Sequence, residues 1–331
     1  MATRESFGKS GADLKGDHWA TMQAVRLHSF GGPEVLVLEE VPRPQIGAGE
    51  VLIRVHAAGI NPLDWKARAG HVQAWLPHRL PLIPGWDVSG VVEEVASDVT
   101  AFEVGDSVYG MLDFMRDGAY AEYVAARTLN LALKPKSIDF TQAAAVPLAS
   151  LTAWQSLFEV SGLQPGQTVL IHGGAGGVGH FAVQFAKWKE AKVIVTASAA
   201  NENFLRQLGA HEVIDYRNTR FEKTVHDVDV VLDTIGGDTQ QRSWQVLRKG
   251  GILVTTLRIF SPEVARDHGV RGEEVLVHPD TGQLNQIAAL IDAGDLKPSV
   301  AAVLPLTEAG RAHELSQTGH VRGKIVLQVT G

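Results

Sequence analysis

The sequence contains no cysteine among its 331 residues. This absence excludes disulfide bonds, thiolate catalysis, iron–sulfur clusters held by thiolates and every structural zinc site built from cysteines. The sequence also lacks an apolar run long enough to cross a bilayer, and residues 1–20 contain no apolar core of a signal peptide. Together these absences predict an intracellular, cytoplasmic protein that does not insert into a membrane.

Charge of either sign is modest. Lys and Arg number 30 and Asp and Glu number 37, which gives a formal net charge of −7. A mildly acidic chain is poorly suited to bind nucleic acid or an anionic membrane surface. Apolar residues make up 45 % and charged residues 20 %, which is typical of globular proteins. Because the chain is longer than one core usually supports, we expect two domains.

The character of the sequence changes along the chain. Residues 1–21 show neither a helical nor a strand period, and we interpret them as a flexible leader. From Met22, short β-rich runs alternate with glycine, proline and aspartate, which indicates a partly closed β-barrel. After about Thr141, strands alternate with helices, which indicates a parallel sheet. The last strand, at 323–329, is followed by no helix, so we expect it to return to the first domain.

A glycine loop is the most informative stretch. It follows an apolar strand, opens an amphipathic helix and carries the pattern G-x-G-x-x-G at Gly174, Gly176 and Gly179. This pattern permits a tight turn, a close approach of backbone to pyrophosphate and close packing of helix on strand. We predict a dinucleotide-binding site; a glycine-rich turn without a ligand is the alternative. A P-loop is excluded because no Gly-Lys-Ser/Thr follows.

The strand after this helix ends without an acidic residue. It reads V-I-V-T-A-S from Val193 to Ser198. An Asp or Glu about 20 residues after the glycine loop usually holds the ribose 2′-hydroxyl of NAD. Its absence favours NADP (NADPH), with NAD as the open alternative. Ser198 is a candidate cofactor contact, and an ordinary turn or N-cap hydroxyl is its other interpretation.

Several short segments carry a family resemblance. They are A-A-G-I-N-P-L-D from Ala57, P-G-W-D-V-S-G from Pro84, G-A-Y-A-E-Y from Gly118, L-T-A from Leu151 and R-G-K from Arg322. With the glycine loop they resemble the medium-chain dehydrogenase/reductase superfamily, in its zinc-free quinone oxidoreductase and enone reductase branch. The match runs from Met22 to Gly331 in the family's order.

The resemblance implies an α/β fold in which a Rossmann domain, a doubly wound parallel sheet, is inserted into a GroES-like, partly open β-barrel domain. The GroES-like catalytic domain would span 22–146 plus 283–331, and the nucleotide-binding domain would span 147–282. The resemblance also suggests a homodimer that joins edge strands of the nucleotide-binding domains. Glu274–Val277 is the candidate edge strand.

Two positions bear on metal chemistry. The zinc enzymes of the superfamily have a cysteine where this chain has Asn61 and a histidine where it has Trp86. An indole cannot coordinate zinc, and alcohol–ketone exchange without a Lewis acid lacks its main catalytic element. We therefore expect no metal. Hydride transfer to a quinone or to the conjugated C=C of an enone or enal remains, with a small apolar conjugated substrate.

The catalytic candidates each have a structural alternative. Asn61 is the candidate donor to the substrate carbonyl or the cofactor ribose; otherwise it is a turn residue before Pro62. Trp86 would wall the substrate pocket or else be a core aromatic. Tyr120 could serve as general acid if it faced the cleft, but proton delivery from water is the simpler hypothesis.

The remaining candidates are cofactor contacts. They comprise Thr152 near the nicotinamide, Gly176, Gly177 and Val178 on the pyrophosphate, Tyr216 against the adenosine 2′-phosphate, Thr234, Thr255 and Leu257 at the carboxyl ends of strands, and Lys324 facing the cofactor cleft. The alternatives are a helix residue bonded back to a carbonyl for Thr152 and a solvated surface lysine for Lys324.

One departure from the family weakens the 2′-phosphate site. Many relatives place Lys or Arg just after the second strand, where this chain has Ala199 and Ala200. Asn201, Arg206 or Arg217 are the candidates to compensate.

Other functions stay open. An enoyl-thioester or biosynthetic tailoring reductase would need a positively lined groove for a phosphopantetheine or coenzyme A arm. A cofactor-binding protein with a regulatory or scaffold role would lack an open apolar pocket over the nicotinamide.

Overall fold

The computed structural model describes residues 20–259 and 262–330. Most of the expected leader, residues 1–21, lies outside the described residues, and Thr21 already belongs to the first strand. In the described part of the chain, no helix combines the length and the apolar character needed to cross a lipid bilayer.

The first domain is built on a sheet of mostly antiparallel strands. Its strands, numbered along the chain, are β3 (Glu50–Ile60), β4 (Asp87–Val95), β5 (Ser107–Met111), β6 (Tyr123–Arg127), β7 (Leu131–Leu133), β14 (Val300–Pro305) and β15 (Lys324–Gln328). They lie in the order β14-β15-β3-β4-β5-β7, and β6 also pairs with β3. A separate hairpin joins β1 (Thr21–Leu27) to β2 (Leu36–Pro42).

Strand β15 completes this sheet from the far end of the described chain. It pairs antiparallel with β3, where Ile325 lies opposite Ile60, and parallel with β14. Its residues Ile325 and Leu327 are buried in the same core as Val51 and Ile53 of β3. The prediction that the last strand returns to the first domain is confirmed.

The second domain contains a parallel sheet. Its strands are β8 (Thr168–His172), β9 (Lys192–Ala197), β10 (Glu212–Asp215), β11 (Val228–Asp233), β12 (Leu247–Thr255) and β13 (Arg271–Glu274). They lie in the order β10-β9-β8-β11-β12-β13. The chain therefore winds in opposite directions on the two sides of β8. Between β8 and β11 lies the switch point at which doubly wound sheets bind ligands.

Helices cover the sheets and close the connections. They are α1 (Pro62–Arg68), α2 (Phe140–Ala144), α3 (Pro147–Trp154), α4 (Gly179–Trp188), α5 (Glu202–Leu208), α6 (Gly237–Ser243), α7 (Pro262–Asp267), α8 (Thr281–Ala293) and α9 (Ala309–Gln317). Helix α3 begins at Pro147. Proline suits this position because the first N–H groups of a helix have no partner within it, so the missing N–H of proline costs no hydrogen bond. It continues into a π-helical segment, Gln155–Val160.

The structure differs from the expected boundaries at two places. The boundary expected at residue 283 falls inside α8, whose Leu284, Ile287 and Ile291 are buried in a core that also contains Tyr109 and Met111 of the first domain. The edge strand expected at Glu274–Val277 is instead β13, because backbone pairing with β12 runs from Arg271 to Glu274.

Candidate active site

The glycine loop lies at the carboxyl edge of the parallel sheet, between β8 and α4. A Cβ on Gly174 would lie 1.9 Å from Cγ1 of Val195, and one on Gly179 would lie 2.3 Å from the Gly173 carbonyl oxygen. Only glycine permits this close packing of helix on strand. Gly176, Gly177 and Val178 are half-buried at the start of α4. Free amides and the helix dipole at such a start favour a pyrophosphate.

The ends of β11 and β12 lie at the same edge. The Thr234 hydroxyl donates to the His172 carbonyl at the end of β8 (2.9 Å). The Thr255 hydroxyl donates to the Asp233 carboxylate (3.1 Å) and accepts from the Leu257 amide (3.1 Å). The two hydroxyls thus shape the strand-end turns, and Leu257 is half-buried beside them.

The turn after β9 is held by polar contacts. The Asn201 side-chain amide donates to Oγ of Ser198 (3.2 Å). Arg322, which precedes β15, donates to the Ala200 carbonyl (3.0 Å) and to Oδ1 of Asn201 (2.7 Å). Tyr216, after β10, exposes 51 % of its surface. The structure therefore brings Ser198 and Arg322 together, through Asn201, at the end of β9.

A buried polar centre joins the two parts of the first domain. The Lys324 ammonium donates to the Ile60 carbonyl (2.8 Å), to Oδ2 of Asp87 (3.1 Å) and to Oδ1 of Asn61. Nδ2 of Asn61 donates to the same Asp87 oxygen (2.9 Å). Lys324 is 3 % exposed, Asp87 0 % and Asn61 2 %, so Lys324 is no solvated surface residue.

Local structure holds each member of this centre. Asn61 precedes α1, and its backbone N–H donates to Oδ2 of Asp64 in the first turn of that helix (2.6 Å). Oδ1 of Asp87 accepts the Leu148 amide at the start of α3 (2.7 Å). The side-chain amide of Asn61 is consequently fixed, with its oxygen toward an ammonium and its nitrogen toward a carboxylate.

A second buried network lies behind Asn61. The Tyr120 hydroxyl donates to Asp64 (3.1 Å) and lies 3.1 Å from Nε2 of His313. Burial raises the pKa of Asp64 to about 7, although its bond from the Asn61 amide opposes that rise. Burial likewise raises the pKa of Tyr120 and lowers that of His313 to about 3. Tyr120 is thereby committed to internal partners.

Trp86 lies where a core aromatic would lie, and Thr152 lies where a helix residue would bond back to a carbonyl. Trp86 is fully buried, donates Nε1–H to the Arg116 carbonyl (3.2 Å) and packs against His78 and Phe114. This placement favours a core aromatic over a pocket wall. The Thr152 hydroxyl donates to the Leu148 carbonyl one turn earlier (2.7 Å).

Sequence reasoning did not find the Asp87–Lys324 pair. The pairing depends on a contact across 237 residues.

Across residues 20–259 and 262–330, no three of the side chains of His, Asp and Glu form a group that could hold a metal ion.

Comparisons with known proteins agree with this architecture. The alcohol dehydrogenase GroES-like domain matches residues 47–136, and the zinc-binding dehydrogenase family matches residues 208–327. The 2-methylene-furan-3-one reductase of Solanum lycopersicum is 35 % identical over 317 residues, which covers 92 % of this chain and 79 % of that protein. The chloroplastic NADPH-dependent alkenal/one oxidoreductase of Arabidopsis thaliana has the same identity and coverage.

A solved structure extends the likeness to three dimensions. The quinone oxidoreductase from Coxiella burnetii is 38 % identical, with a TM-score of 0.88 over 94 % of this chain and 100 % of that one. The predicted fold, a Rossmann domain inserted into a GroES-like domain, is confirmed.

Proposed function

The chain belongs to the medium-chain dehydrogenase/reductase superfamily, in its quinone oxidoreductase and enone reductase branch, and we propose that it reduces quinones or enones with NADPH. It is an NAD(P)H-dependent oxidoreductase. The substrate in this proposal is a small apolar quinone, or an enone or enal whose conjugated C=C accepts the hydride at its β-carbon.

The buried centre of Lys324, Asp87 and Asn61 is the observation that carries the proposal. Nδ2 of Asn61 gives one N–H to Asp87, which leaves its second N–H for the substrate carbonyl oxygen or the cofactor ribose. Negative charge develops on a carbonyl oxygen when hydride adds to a conjugated C=C. A donor that is already oriented, with an ammonium beside it, stabilises that charge without reorganisation.

The proposed reaction uses no metal. The family model that matches residues 208–327 is described as a zinc-binding dehydrogenase. Here the residues at the expected ligand positions do not suit zinc, because Trp86 is buried with its N–H donated and Asn61 contacts an ammonium. A divalent cation at Asn61 would be repelled by Lys324. We expect a chelator to leave turnover unchanged, and loss of activity would contradict the metal-free proposal.

The glycine loop would hold the cofactor. NADPH, when bound, supplies the hydride from its nicotinamide. The amides of Gly177 and Val178 would bind the pyrophosphate, while the Gly176 amide donates to the Gly173 carbonyl (3.0 Å) and shapes the loop. The strand ends at Thr234, Thr255 and Leu257 would line the same edge. Water delivers the proton in this proposal, since Tyr120 already donates to Asp64.

Absorbance of NADPH and NADH against a panel of acceptors tests the function. The panel contains quinones, 2-alkenals, cyclic enones and enoyl thioesters. We expect turnover with quinones or enones and a preference for NADPH. Turnover with enoyl thioesters alone would assign the chain to the thioester reductases. Binding of NADPH without turnover of any acceptor would support a regulatory or scaffold role.

Variants in the polar centre separate chemistry from binding. We expect Asn61→Ala to lower kcat about 100- to 1,000-fold, the loss from one donor to a developing oxyanion, with a smaller change in NADPH affinity. Tyr120→Phe should retain turnover. If Tyr120→Phe abolished turnover while NADPH still bound, water would not be the proton source.

We also propose a homodimer, formed through the edge strand β13. Beyond this strand Leu276 is 64 % exposed, between the half-buried Val275 and Val277. A charged residue at an edge opposes strand pairing, so Leu276→Asp should shift sedimentation from dimer to monomer. A monomeric parent protein would contradict this part of the proposal.

The proposed location, the cytoplasm, is tested by cell fractionation.

A further inference from the structure

We propose that Arg322 binds the adenosine 2′-phosphate of NADPH and sets the preference for NADPH over NADH. The inference rests on the proposed function, because it concerns the same cofactor. Many relatives carry a Lys or Arg just after β9. We assign the role of that cation to Arg322, which belongs to the other domain.

The position of Arg322 is the first observation. The ribose 2′ position lies at the end of the second strand of a dinucleotide-binding unit, and an arginine nearby accommodates a 2′-phosphate. Here that strand is β9, and the turn after it offers only Ala199 and Ala200 where relatives carry a cation. The Arg322 guanidinium lies on this turn, bonded to Ala200 and Asn201.

The local structure orients the guanidinium. It lies over the ring of Phe204 in α5, 5.2 Å from the centroid. The next amide, that of Gly323, donates to the Ala175 carbonyl in the glycine loop (2.8 Å), which anchors the backbone beside the cofactor site. Nε of Arg322 donates to Asn201 and Nη2 donates to the Ala200 carbonyl. The remaining N–H groups of the guanidinium, on Nη1 and Nη2, are therefore left for a phosphate. Ser198 lies on the same turn, bonded to Asn201.

The other candidate arginines are less well placed. Arg206 donates to Glu202 on its own helix (2.9 Å) and to the His211 carbonyl (3.2 Å), so it faces away from the β9 turn. Arg217 follows Tyr216, with its guanidinium 5.8 Å from that ring. It lies on the turn after β10, which makes it the principal rival.

Binding of fragments tests the inference without turnover. The affinities of 2′,5′-ADP and 5′-AMP are measured by calorimetry for the parent protein and for Arg322→Gln, Arg322→Lys and Arg217→Gln. Arg311→Gln is the matched control, because Arg311 is an exposed arginine on α9 that pairs with Glu308 just before that helix. We expect Arg322→Gln to weaken 2′,5′-ADP about 10- to 100-fold and to leave 5′-AMP unchanged. Arg322→Lys should fall between, since lysine lacks the fork.

The outcomes separate this inference from the proposed function. If the parent protein bound 2′,5′-ADP no more tightly than 5′-AMP, the NADPH preference itself would fail. A preference that survives in Arg322→Gln, or one lost in Arg217→Gln alone, would overturn the role of Arg322 and leave the NADPH preference intact. Loss of affinity for both fragments would indicate a structural role for Arg322, which also contradicts the inference.

Discussion

At the scale of single residues, Lys324 has the most consequential surroundings. An ammonium and a carboxylate that are both removed from water have lost their hydration, and their mutual contact and the bonds to Ile60, Asn61 and the Leu148 amide compensate. Removing one partner leaves the other as an uncompensated buried charge. The pair therefore affects folding as well as the proposed chemistry.

We expect Lys324→Met to lower the free energy of unfolding by about 3 kcal/mol, the usual effect of breaking a buried ion pair. The double variant Lys324→Met/Asp87→Asn should recover part of that loss, because the isolated carboxylate is gone while the Leu148 amide keeps an oxygen acceptor. Urea unfolding of the four proteins in the cycle gives the coupling energy. Additive losses would show that the two charges do not interact.

Sequence reasoning could not predict that Lys324 is buried. A lysine is almost always solvated, and nothing near Lys324 in the sequence indicates a carboxylate 237 residues away. Trp86 shows the same limit: its alignment suggests a place in the site, but burial follows from its contacts with His78 and Phe114. Asn61 was a candidate because the family resemblance places it where the zinc enzymes have a cysteine, and its bond to Asp64 in the next helical turn is a local one.

At the scale of elements, the strand–loop–helix unit of β8 and α4 was predicted well. The spacing of its glycines can be read directly from the sequence. These glycines allow the loop to pack closely against the adjacent strand β9. The domain boundaries stay a prediction, and α8, which contains the expected boundary, packs with residues far earlier in the chain.

We expect Gly174→Ala to destabilise the protein by about 2 kcal/mol and to weaken NADPH binding, because the new methyl group would overlap Val195. Thermal denaturation and NADPH fluorescence measure the two effects. Val195→Ala should partly rescue the variant by making room. Gly47→Ala is the control, since a Cβ there would lie 3.6 Å from Glu50. Equal effects at both glycines would contradict the packing argument.

At the scale of the whole molecule, buried histidines govern the response to acid. Burial lowers the pKa of His172 and of His180 to about 4, and that of His313 to about 3. In His180 the cause is burial, which opposes a charged ring, whereas the Gly176 carbonyl 3.0 Å from Nδ1 raises the pKa and only partly offsets that effect. Its Nε2 accepts the Ser299 amide (3.2 Å). A protonated ring could not accept that amide.

We expect the free energy of unfolding to fall as the pH is lowered from about 6.5 toward 4. Each of these histidines has a pKa in the folded protein below the ordinary value, so the unfolded chain binds more protons in that window. The free energy of unfolding therefore falls by about 2 kcal/mol per histidine between pH 7 and pH 5. Asp64, with its pKa raised to about 7, acts in the opposite direction, since its contribution is lost as the pH rises from about 4 to 7. The histidines outnumber it.

Urea unfolding at pH 7 and pH 5 measures this dependence. His180→Gln should shrink the difference between the two pH values by about 2 kcal/mol, whatever its effect at pH 7. His71→Gln, a change at an exposed histidine, is the control. An unchanged difference in His180→Gln would mean that this ring does not contribute to the acid response.

The pairing of β15 with β3 has a consequence for biosynthesis. Lys324 and the Ile60 carbonyl that it contacts lie 264 residues apart in the chain. At about 5–20 residues per second, a ribosome needs roughly 15–50 s to bring them both into existence. The parallel sheet of the second domain can form during that interval, while residues 57–60 of β3 lack their partner strand and Asp87 lacks its counter-ion. We therefore expect this part of β3 to be open to wrong strand partners while the rest of the chain is synthesised.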